Sequence, residues 1–123
     1  MAKTETGHAG GFILSESNGN FSRDNIEIAL EQNLLAGQVI SKLTSGSFSG
    51  DYVAFDQDGS DGSQTPIGIV LDDCDATTAA KAAAVLVRDA EVNGNELVWP
   101  SDITGGETDT AVAVLKTLGI IVR

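Results

Sequence analysis

The chain is poor in the residues that carry most chemistry. It has one cysteine, Cys74, so no disulfide can form within it. A single thiol fits a reducing cytoplasm or indifference to redox. It has one histidine, His8. A Ser-His-Asp or Cys-His system needs its base held firmly against the nucleophile, and His8 lies in a polar N-terminal stretch. One Cys and one His also fall short of the four ligands of a zinc site. Basic residues number only seven against eighteen acidic ones, for a net charge of −11. Binding a polyanion relies on neutralising its phosphates, so this balance argues against DNA, RNA or anionic lipid as direct partners. The longest apolar runs are far too short to span a bilayer, and the N-terminus has no apolar run of the signal-peptide kind. No GxGxxG or Walker loop occurs. The sequon Asn20-Phe21-Ser22 has no consequence without secretion.

What is present suits one small domain. The chain has 123 residues, 41% of them apolar, enough to build a core without a disulfide or metal. Residues 1–22 are rich in Gly, Ser, Asn and Thr and read as a flexible N-terminal arm, with a β-rich domain over 23–123. Within the arm, Phe12-Ile13-Leu14 is an apolar triplet in polar surroundings. Two readings fit it: a short anchor packed on its own domain, or an extended segment pairing with another chain.

From Ile26 the pattern predicts short strands. Ile26, Ile28 and Leu30 alternate, Gly37 turns the chain into Gln38–Leu43, and Tyr52–Phe55 is rich in β-formers. Pro66 opens the continuous apolar run Ile67–Leu71, as in a buried strand. Ala79–Ala84 is open between helix and strand. The pair Asn93-Gly94 predicts a hairpin joining Ala83–Val92 to Asn95–Val98, with the alanines as small residues in a crowded strand. Trp99-Pro100 closes that strand, and Trp99 is expected in the core or a subunit interface. Thr108–Leu118 reads as the one helix, capped by Thr108 or Asp109, with Ala111, Leu115 and Leu118 on one face and Gly119 at its end. Ile120–Val122 closes the chain as a strand.

Two acidic clusters invite a metal reading. Asp56–Ser63 fails as an EF-hand, because position six is Asp61 where glycine is needed and position twelve is Ile67 where glutamate is needed. Weak cation binding between Asp56 and Asp61 stays open beside the simpler reading of a solvated loop. Asp72-Asp73-Cys74-Asp75 reads as a solvated turn.

The order of several short stretches resembles the head decoration protein family of tailed bacteriophages. These are His8–Glu16 with Gly19 and Ser22-Arg23-Asp24, Leu35-Ala-Gly-Gln-Val-Ile40, Asp51–Asp56, Pro66–Val70, Glu96-Leu-Val-Trp-Pro100, and the helix followed by Gly-Ile-Ile-Val. Two features depart from the family pattern: Gly11 replaces an acidic residue, and Ala79–Ala84 is unusually alanine-rich for a strand. The resemblance implies a mainly β, small β-clip-like domain with one short C-terminal helix. It implies a homotrimer that cements the outside of an expanded phage head at three-fold and quasi-three-fold positions, after synthesis in the host cytoplasm. No catalysis and no cofactor are implied. The implied partner is the major capsid protein, contacted by the arm residues Phe12, Ile13, Leu14, Ser15 and Glu16. Trp99 and Pro100 fall to the core or trimer interface. Two other readings compete: a trimeric β-clip enzyme of the dUTPase kind, whose catalytic aspartate and glycine-rich loops find no counterpart here, and a carbohydrate-binding module, which would want more exposed aromatics than six in all provide.

Overall fold

The computed structural model describes residues 11–17, 19 and 21–123. It is mainly β with one C-terminal helix. The strands are β1 (Ile13–Glu16), β2 (Arg23–Ile28), β3 (Gln32–Leu34), β4 (Val39–Lys42), β5 (Tyr52–Ala54), β6 (Pro66–Val70), β7 (Cys74–Ala76), β8 (Lys81–Leu86), β9 (Ala90–Val92) and β10 (Ile120–Val122), with helix α1 (Gly105–Thr117) before the last strand. Strands β2-β5-β4-β6-β8 close into a barrel, β1-β9-β10 form a three-stranded sheet, and β3 pairs with β7.

The continuous apolar runs have a physical reason. Successive residues of a strand point to opposite faces, and the central strands bury both. Ile40, Val70 and Val85 meet in one apolar cluster with Ile28. Their neighbours Val39, Ile69 and Leu86 meet in another, beneath α1 and the three-stranded sheet. A strand covered on both sides needs no polar alternation. The one polar intruder, Ser41, is fully buried, and its hydroxyl donates to the Ser63 carbonyl at 2.9 Å.

Several expectations need correction. The expected Asn93-Gly94 hairpin is absent. Asn93 has φ −84° and caps the 3-10 turn Gly94–Glu96 by accepting from the Asn95 N–H. A type I′ turn needs positive φ at both central residues. Gly94 is required for another reason: a Cβ there would lie 2.8 Å from Val122 Cγ1, so the glycine lets β10 pass close by. The Ala79–Ala84 question resolves as strand β8, yet Ala82 and Ala84 are exposed rather than crowded. The helix begins earlier than expected. Thr104 is its cap and forms a capping box with Glu107, each donating its backbone N–H to the other's side chain. Ala111 and Leu115 are buried as expected, but Leu118 is 37% exposed at the C-cap. Gly119 ends the helix at φ +86°.

Within the expected arm, residues 13–16 form a strand on the domain itself. Strand β1 pairs antiparallel with β9, through Ile13↔Val92 and Glu16↔Ala90. Phe12 is 3% exposed and belongs to the main core cluster. Phe12 thus anchors the triplet on its own domain, while Leu14 is exposed. Residues 1–10, with Lys3 and His8, lie outside the described residues.

Candidate functional site

The five arm residues divide by side. A register shift between Ile13 and Ser15 breaks strict alternation along β1. Phe12 goes into the core and Ile13 packs partly against it, whereas Leu14 is 56% exposed and Ser15 is exposed. Phe12 is held under Gly37, where a Cβ would fall 3.5 Å from the Phe12 ring and 2.7 Å from the Glu96 carbonyl oxygen. At φ +87° that position also favours glycine on backbone grounds.

The outer face of this sheet is tied by polar contacts. Ser15 Oγ donates to Glu91 Oε2 at 2.7 Å, and Arg123 Nε donates to Glu91 Oε1 at 2.9 Å. Glu91 thus links β1, β9 and the end of β10. The Ser15 hydroxyl first, then Arg123, hold the Glu91 carboxyl below its ordinary value. Arg23 likewise bonds Glu16, and that bond lowers the Glu16 carboxyl against a smaller opposing effect of burial. These contacts sit in solvent, where single ion pairs contribute little. Their effect is to fix the register of a short edge strand. Leu14 is left as its exposed apolar side chain.

The segment after β1 is anchored by a residue that sequence inspection passes over. Ser22 is fully buried; its hydroxyl accepts from the Ser17 N–H at 3.1 Å and donates to the Asp89 carbonyl at 2.9 Å. Nearby, Phe21 is 57% exposed with the Arg88 guanidinium 5.5 Å from its ring centre. Arg88 also pairs with Asp24 at 2.9 Å. No periodicity marks Phe21 as a surface aromatic, because it sits in a turn.

Trp99 is half-buried. It packs on the main core cluster and meets Phe55 edge to face, with ring centres 6.1 Å apart. Pro100 follows it, also half-buried.

The acidic clusters do not assemble a metal centre; no group of three or more metal-ligating side chains converges among the described residues. The loop carboxylates are spent on turns. Asp56 Oδ1 accepts from the Asp58 N–H, and Asp61 Oδ1 accepts from both the Ser63 hydroxyl and N–H. The Ser63 bonds lower Asp61. The neighbouring Asp102 carboxyl raises Asp58, while Gln57 foremost holds Asp102 down. Cys74 is buried in β7, and desolvation pushes its thiol up, away from the nucleophilic thiolate. No described helix is long and apolar enough to cross a membrane.

Compared with protein-family models, residues 2–120 match bacteriophage lambda head decoration protein D. No curated protein matches the chain.

Proposed function

The chain belongs to the bacteriophage lambda head decoration protein D family, and on that premise we propose that it binds as a homotrimer to the outside of an expanded phage head and stabilises it against the pressure of packaged DNA. It is a structural protein of the phage head, not an enzyme. The family match across residues 2–120 is the observation that carries the reading.

The partner in this reading is the major capsid protein, and the contact is centred on β1. Leu14 and Ser15 supply the exposed side chains, with Ile13 and Glu16 beside them. Phe12 anchors the strand to its own domain. Strand β1 lies at the edge of its sheet. An edge can accept a strand from a partner, with backbone hydrogen bonds supplying affinity and alternate side chains supplying selectivity. Three such edges on one trimer bind as linked events, so weak single contacts add to tight attachment. The net charge of −11 suits a surface outside a DNA-filled shell and favours neither nucleic acid nor anionic membrane as a direct partner. The protein is then made in the host cytoplasm and resides on the outer surface of the virion.

Sedimentation equilibrium and shell binding test the proposal together. The protein should sediment at about 38 kDa, three times the 12.7 kDa chain. Leu14→Ser should keep that mass and lower occupancy on expanded shells. A monomer at micromolar concentration, or undiminished occupancy by the variant, would count against the trimer or the contact respectively.

A further inference from the structure

Asparagine followed by glycine is the sequence pair most open to spontaneous deamidation, because glycine leaves the next backbone nitrogen unhindered. That nitrogen loses its proton and attacks the side-chain amide carbon. A new C–N bond closes a succinimide, the side-chain nitrogen takes up a proton from water in place of the one lost, its bond to carbon breaks, and ammonia leaves. Water then opens the ring to aspartate or isoaspartate. Both reacting groups of Asn93-Gly94 are occupied. Gly94 N–H donates to the Arg123 carbonyl at 3.1 Å, and Arg123 N–H donates in turn to the Val92 carbonyl at 2.9 Å. The Asn93 side chain is engaged in its own turn, with Oδ1 accepting from the Asn95 N–H at 3.0 Å. Its backbone is extended, at φ −84° and ψ 110°, and its N–H donates to the Phe12 carbonyl at 2.8 Å.

We propose that Asn93-Gly94 is a latent deamidation site held shut by β10, so that its conversion records release of that strand. The glycine that makes the pair labile is the one that β10 needs for its close approach, since a Cβ would strike Val122. Lability and protection thus come from the same contact. Opening need only be local, at the end of one edge strand, and such openings occur without global unfolding. Isoaspartate would add a backbone atom where Asn93 meets Phe12, so conversion would also loosen the hold of β1. The inference does not depend on the functional reading.

Peptide mapping by mass spectrometry over days in mildly alkaline buffer tests it, with Asn93 resolved from the other Asn-Gly pair, Asn18-Gly19. In the folded protein Asn93 should convert at least about tenfold more slowly than in the urea-unfolded chain. Arg123→Pro removes the N–H that pins the end of β10 and should speed conversion. Arg123→Ala keeps that N–H, loses only the Glu91 ion pair, and should not. Equal rates in folded and unfolded chains would overturn the proposal, as would a failure of the two variants to differ. Should Arg123→Pro unfold the chain, the unmodified protein at sub-denaturing urea decides. Conversion that rises before global unfolding supports the gate, and conversion that only tracks global unfolding refutes it.

Discussion

Replacing Phe12 by alanine asks whether the N-terminal segment belongs to the fold. The ring is 3% exposed and lies in the main core with Val39, Val92 and Leu97. Its neighbours are poorly placed to close the gap, because the Gly37 backbone is pinned: its N–H donates to the Val70 carbonyl and its carbonyl accepts from the Val98 N–H. The loss should fall in the ordinary range for a buried phenylalanine, ~3–5 kcal/mol. Total stabilities run to about 5–15 kcal/mol, so the variant would sit close to the folding threshold. At roughly 4 °C per kcal/mol for a chain of this size, Tm should fall by ~12–20 °C. Urea titration at a fixed protomer concentration should show a lower midpoint with an unchanged slope. Leu14→Ala, two residues away but exposed, should stay within about 0.5 kcal/mol of the parent. If Phe12→Ala costs less than ~1 kcal/mol, the residue is not core and β1 is not part of the domain.

Gly37→Ala should cost at least ~1–3 kcal/mol, from the left-handed backbone and the approach to the Glu96 carbonyl; a neutral urea midpoint would contradict that geometry. Ser22→Ala should cost about 0.5–1.5 kcal/mol, the net worth of an ordinary hydrogen bond, because the fully buried hydroxyl that joins the Ser17 N–H to the Asp89 carbonyl is lost while Ser17 N–H keeps a 3.3 Å bond to that same oxygen. Stability should fall in acid through Glu16 and Glu91. Both carboxyls are lowered in the folded state, so they stabilise the fold above the ordinary glutamate value of 4.5, and that contribution disappears as pH falls through their lowered values. The double variant Glu16→Gln, Glu91→Gln should flatten the acid limb of midpoint against pH; an unchanged limb would remove these two groups from the account.

The barrel strands were legible because their residues obey local rules. Val39-Ile40, Tyr52–Ala54 and Ile67–Val70 are β-formers in runs too short for helices, and each lies in or beside an observed strand. Gly119 marked the helix end for the reason it usually does. The helix starts earlier than Thr108 because the Thr104-x-x-Glu107 capping box carries it across Gly105-Gly106, two residues of low helix propensity. Asn93-Gly94 misled because two physical needs select glycine. A tight turn wants positive φ, a close strand wants no Cβ, and only the fold shows that β10 runs alongside. Strand β1 was blurred for a related reason: four residues with a register shift carry no clean alternation, and the partner β9 lies about 76 residues further on. Leu14 is expected at the partner contact from the apolar triplet together with the family resemblance. That Phe12 faces inward and Leu14 outward follows from the pairing with β9 and could not be read from the triplet.

Electron microscopy of expanded phage heads with and without added protein tests the central claim most directly. The account predicts new density on the outer surface at the three-fold and quasi-three-fold positions, with DNA-filled heads that then withstand heating better than bare ones. Heads that remain bare at saturating protein, or density that appears only inside the shell, would contradict it.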